Sequence, residues 1–104
     1  MMKMLIVMED DKILNEGRYN LLKIKAFLKN TFEKREMEMD SQGWYTGGNF
    51  TTCGSLILQL SEKAWFMENV KQWLWYDTDD ESIEDLKEYY GKKHNRIEAD
   101  DMEI

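Results

Sequence analysis

The chain has 104 residues and a net charge of -7, the size of one compact domain. Its hydrophobic content of 42% is enough to build a core, so global disorder is excluded. It contains no run of about 18 apolar residues that could span a membrane. The charge is uneven: residues 1–76 carry ten basic and ten acidic side chains, while residues 77–104 carry eleven acids and four bases. An acidic last quarter argues against direct nucleic-acid binding, which needs excess Lys and Arg, and it permits a basic partner. One cysteine, Cys53, rules out an internal disulfide. The N-terminus lacks the longer apolar region of a secretory signal, so a cytoplasmic location is expected. Residues 1–94 are expected to form a single domain, with 95–104 an acidic, frayed tail.

Met4–Met8 is a short apolar run containing β-branched Ile6 and Val7, closed by Glu9, Asp10 and Asp11. It suits a buried strand. Lys3–Asp11 resembles the first strand and acidic pair of response-regulator receiver domains. That resemblance implies a magnesium site beside a phosphorylated aspartate. The family also needs an aspartate ending a later hydrophobic strand, and Phe50–Leu60 contains no acid. The alternating strand–helix pattern of a doubly wound sheet is missing too. The segment is therefore read as a strand ending in a charged turn.

Leu14, Gly17, Leu21, Ile24, Leu28 and Phe32 share one helical sector. Gly17 weakens a helix and Asn20 is a good N-cap. Residues 12–18 are thus read as a turn or short extension, and the main helix as Leu21 to Glu36. Residues 37–49 carry Trp44 and Tyr45 between Gly43 and Gly47-Gly48, which reads as a small hairpin or ordered loop turning at the glycine pair. Residues 50–60 alternate like a strand, yet Phe50, Cys53, Ile57 and Leu60 also share a helix face below Asn49. The start signal at Ser61 favours helix with a break near Leu60.

Ser61–Asp77 holds three of the four tryptophans and is read as the organising helix. Phe66, Val70, Trp73 and Leu74 form its inner stripe, with Met67 at the edge. Trp65, Asn69, Gln72 and Tyr76 form a second row. That row either packs inside the domain or presents Trp65 and Tyr76 as anchors, because Trp and Tyr are enriched at binding hot spots. The candidate partner-binding residues are Trp65, Tyr76, Trp75, Trp44 and Tyr45. Thr78-x-x-Glu81 reads as a capping box opening a helix that runs to Gly91.

No catalytic set, cofactor motif or metal site is expected. Asp77, Asp79, Glu81 and Glu88 echo an EF-hand loop, but Ser82 stands where that loop needs glycine. His94 is the single histidine. The fold expected is α+β: one short N-terminal strand and a possible small hairpin packed against three or four helices. The function expected is a non-catalytic protein–protein interaction protein or self-associating one, docking through aromatic helix faces. The alternative is an acidic decoy that occupies a partner's nucleic-acid-binding surface.

Overall fold

The computed structural model describes residues 1–94. Their elements are β1 (Met2–Met8), α1 (Asp10–Glu16), α2 (Leu21–Glu33), β2 (Glu38–Met39), β3 (Trp44–Gly48), α3 (Phe50–Ser61), α4 (Ala64–Asn69), β4 (Val70–Asp77), β5 (Ser82–Asp85) and α5 (Leu86–His94). The strands form one five-stranded sheet in the order β2-β3-β1-β4-β5, antiparallel at every pairing. This overturns the expected fold of one strand and a possible hairpin under three or four helices. An antiparallel sheet also differs from the mostly parallel, doubly wound sheet that the receiver-like start of the chain would imply.

The largest correction concerns Ser61–Asp77. Ser61 ends α3, its hydroxyl donating to the Leu58 carbonyl at 2.9 Å, and does not open a long helix. The next helix lasts only from Ala64 to Asn69. At Val70 the backbone turns extended, with φ -81° and ψ 130°. Val70–Asp77 then pairs with β1 along its length, from Val70 opposite Met8 to Asp77 opposite Met2. Val, Trp, Leu and Tyr fit a pleated, half-buried surface well, and the tertiary partner decides the matter. The expected row of Trp65, Asn69, Gln72 and Tyr76 does not exist, because it would cross the helix–strand junction.

Two further readings change for local reasons. The helix expected from Thr78 begins only at Leu86, where Asp85 Oδ1 accepts from the Glu88 amide at 3.1 Å. Thr78 instead donates its hydroxyl to the Met1 carbonyl at 2.7 Å, and Glu81 sits at φ 58° in the turn before β5. Gly91 lies within α5 and does not end it. The hairpin near residue 40 turns at Asp40–Gly43, ahead of the glycine pair. The Asp40 carboxylate accepts from the amides of Gln42 at 2.8 Å and Trp44 at 2.9 Å. Residues 12–18, read as a turn, lie mostly in α1, which Gly17 closes at φ 65°. The acidic tail expected over 95–104 lies outside the described residues.

Asn20 caps α2 and Asn49 caps α3, each side chain accepting an amide of the first turn. The core lies between the helices and one face of the sheet. Met4 and Trp73 supply the sheet side; Ile24, Phe32, Leu56 and Phe66 supply the helix side, all fully buried. Phe32 stacks on Tyr45 with ring centroids 3.8 Å apart.

Gly48 marks the tightest approach. A Cβ there would lie 2.7 Å from Cys53 Sγ and 2.8 Å from Met37 Cε. Gly48→Ala is expected to destabilise by about 1–3 kcal/mol, the usual effect of overpacking. Urea denaturation measures it. A midpoint unchanged from the parent would show that Met37 simply swings aside.

Candidate interaction surface

Successive side chains of a strand point to opposite faces. Directly opposed residues on paired strands share a face, so the registers assign the two sides of the sheet. Met4, Tyr45, Trp73 and Trp75 fall on the helix-covered side. Lys3, Leu5 and Val7 of β1, Trp44 of β3, Leu74 and Tyr76 of β4, and Ile83 of β5 fall on the other. None of the apolar residues in this second group belongs to the core or packs against it.

These residues form a connected patch across four strands. Leu5 lies opposite both Trp44 and Leu74, and Tyr76 lies opposite both Lys3 and Ile83. Lys3 Nζ sits 5.1 Å from the Trp44 ring centre and 5.4 Å from that of Tyr76. The two rings are 6.1 Å apart at 59°. A lysine held between two rings gains cation–π attraction and lays its apolar stem on the patch. Leu5, Trp44, Leu74 and Tyr76 are half-buried by one another, while Val7 and Ile83 stand exposed. The patch thus has a flat aromatic centre, one cation and a polar margin at Gln72 and Asp85.

Asp40 supports one side of the patch. The Trp44 amide hydrogen bond, before all else, holds its carboxyl below the ordinary aspartate range. Desolvation opposes it, and the Gln42 amide, the positive Lys3 and the Gly43 amide act in the same sense as Trp44. A carboxyl whose pKa is lowered on folding stabilises the fold above its unfolded value, about 3.9. That contribution is lost as pH falls through the lower folded value. The Asp40 carboxyl is therefore expected to titrate below the ordinary aspartate value in an NMR pH series. Titration at the ordinary value would mean that the turn does not hold it.

The five residues expected to contact a partner separate into three groups. Trp44 and Tyr76 meet on the uncovered face. Trp65 is fully buried against Phe27 and Phe66, and Tyr45 is buried on Phe32. Neither can reach a partner from the folded domain, which removes both from the candidate contact residues; of the two readings the sequence left for each, packing inside the domain is the one observed. Trp75 lies on the helix-covered side, half-buried, with Phe50 at 5.7 Å. Lys3, Leu5 and Leu74 were not expected in the site. Their signal is period-2 alternation, hidden because Met4–Met8 is apolar on both faces.

The arrangement offers contact area and a cation set between two aromatic rings. Cys53 is fully buried, and desolvation pushes its thiol upward, so it is a poor nucleophile. Among the described residues no three His, Cys, Asp or Glu side chains are grouped to hold a metal ion. No helix among them is long and apolar enough to cross a membrane. Comparison with protein-family models, with curated proteins and with solved structures gave no match.

Proposed function

We propose that the protein is a non-catalytic protein–protein interaction module that docks its partner on the uncovered sheet face. The observation that supports this reading is the one-sided packing. The core lies wholly on one side of the sheet, while Leu5, Trp44, Leu74 and Tyr76 form a connected apolar patch on the other. Contiguous apolar surface rimmed by polar residues marks interaction sites, and Trp and Tyr are the side chains that dominate them. In this reading the protein works in the cytoplasm, where its one cysteine remains a free thiol.

The test is affinity capture from the cells that make the protein, followed by sedimentation with the captured partner. Trp44→Ala and Ile83→Glu are expected to weaken that complex by about 2 kcal/mol or more, the hot-spot threshold. Both side chains lie outside the core, so the melting temperature should stay near the parent's. Equal capture by parent and both variants would sink the proposal.

A second reading rests on the acidic edge. Asp77, Asp79, Asp80, Glu81, Glu84 and Asp85 follow one another through the β4–β5 turn and β5 with no base between them. Such an edge suits an acidic decoy that fills a partner's nucleic-acid-binding surface. Salt separates the two readings. A decoy complex weakens steeply as ionic strength rises, and docking on an aromatic face does not.

A further inference from the structure

Strand β1 outruns one of its neighbours. Its pairing with β3 stops at Leu5 opposite Trp44, whereas its pairing with β4 continues to Met8 opposite Val70. The backbone polar groups of an antiparallel strand point alternately to its two sides. At one end of β1 the Met1 carbonyl accepts from the Thr78 amide at 2.9 Å. At the other the Glu9 amide donates to the Asn69 carbonyl at 2.7 Å. Odd-numbered residues of β1 therefore face β4, and even-numbered ones face β3. Met8 directs its N–H and C=O to a side that β3 has already left through the Asp40–Gly43 turn.

That side is a groove of about 780 Å³, within the range of ligand-binding pockets. It opens mainly on the helix-covered side of the sheet, and Val7 of the uncovered-face group also reaches its lining. Ile6, Met8, Leu28 and Met37 give it an apolar floor, and Met39 of β2 forms one bank. The other bank is α2, where Lys25, Lys29 and Glu33 line up at intervals of four on one row. Lys25 is already paired with Asp10 at 2.8 Å. Lys29 has no carboxylate partner among the described residues, and Glu33 follows it on the same row without a base among those residues.

We propose that this groove binds an extended peptide segment of a partner protein, added beside Ile6–Met8 as a short strand in line with β3. The backbone groups that Met8 turns toward the groove select an extended chain, because only another strand offers donors and acceptors at the matching spacing. Alternate apolar side chains of the segment enter the floor. A carboxylate at one end meets Lys29, and a basic residue at the other meets Glu33. Backbone pairing supplies affinity, and the charge order along α2 fixes the direction in which the segment lies.

The probe is a phage-displayed library of random twelve-residue peptides, selected against the full chain. An enriched peptide is then synthesised and titrated by fluorescence anisotropy. Lys29 is exposed, so Lys29→Glu keeps the fold. It should weaken the peptide at least tenfold, and a peptide with its own acid changed to lysine should recover much of the loss. N-methylation of the peptide backbone should abolish binding at alternate positions only. The Met8 amide should gain protection from hydrogen exchange when the peptide is bound. The proposal fails if no peptide is enriched, or if binding ignores both Lys29→Glu and N-methylation. It also fails if binding is lost in Trp44→Ala but not in Lys29→Glu, which would assign the peptide to the aromatic face. Failure of the groove leaves the aromatic-face reading standing, because Leu5, Trp44, Leu74 and Tyr76 do not line the groove.

Discussion

Trp73→Ala is expected to destabilise the domain by about 3–5 kcal/mol, the usual result of truncating a large core aromatic. Trp73 is fully buried on β4, opposite Ile6 of β1. Its ring meets Phe66 edge to face, with centroids 4.9 Å apart at 84°, and Tyr90 at 5.8 Å. Its indole N–H donates to Met4 Sδ at 3.3 Å, so even the polar atom is placed. The residue thus joins the sheet to α4 and α5, and truncation opens a cavity where the three meet. A domain of this size has about 5–15 kcal/mol to lose, so the variant should show a much lower urea midpoint or not fold at all. Trp73→Phe keeps most of the ring contact and should lose less. If Trp73→Ala unfolds at the parent's midpoint, the strand register assigned to β4 is wrong.

What the sequence revealed depended on how local each signal was. Asn20 and Asn49 cap their helices through side chains that reach three residues along the chain, and their neighbours suffice to show it. The apolar run Met4–Met8 reads as a strand for the same reason. Residues 70–77 fail that test. Phe66, Val70, Trp73 and Leu74 match a helical stripe, yet Trp73 and Trp75 also match strand alternation. The choice is made by Met2–Met8, about seventy positions away in sequence. Thr78 shows the same competition at a cap. Its hydroxyl meets the Met1 carbonyl, which a window of neighbouring residues does not contain. Of the five expected contact residues, Trp44 and Tyr76 do lie together on one surface. That pairing comes from β3 and β4 flanking β1, not from any shared helix. The uncovered face was the least legible feature, because Leu5 and Val7 have the same apolar character as the buried residues beside them.

Trp65→Ala decides between the two readings the sequence left for that residue, one of which, an exposed Trp65, would leave stability nearly unchanged. Trp65 is fully buried, with Phe27 at 5.4 Å and 89° and Phe66 at 5.9 Å and 89°. Such edge-to-face contacts add to the burial itself. Unlike Trp73, its indole N–H is buried without a hydrogen-bond partner, and so is Oδ1 of nearby Asn69. A buried donor left unsatisfied costs about 1–3 kcal/mol, and truncation removes that cost. The expected loss is therefore smaller than for Trp73, about 1–3 kcal/mol, once the usual cost of removing the ring is set against the unsatisfied donor. Trp65→Phe separates the two effects. It keeps an aromatic ring between Phe27 and Phe66 and deletes the orphan donor, so it should cost clearly less than Trp73→Phe. Urea denaturation of all four variants, followed by circular dichroism, makes the comparison. A parent-like midpoint for Trp65→Ala would place the side chain at the surface. Equal losses for the two phenylalanine variants would mean that the Trp65 N–H does find a partner in solution.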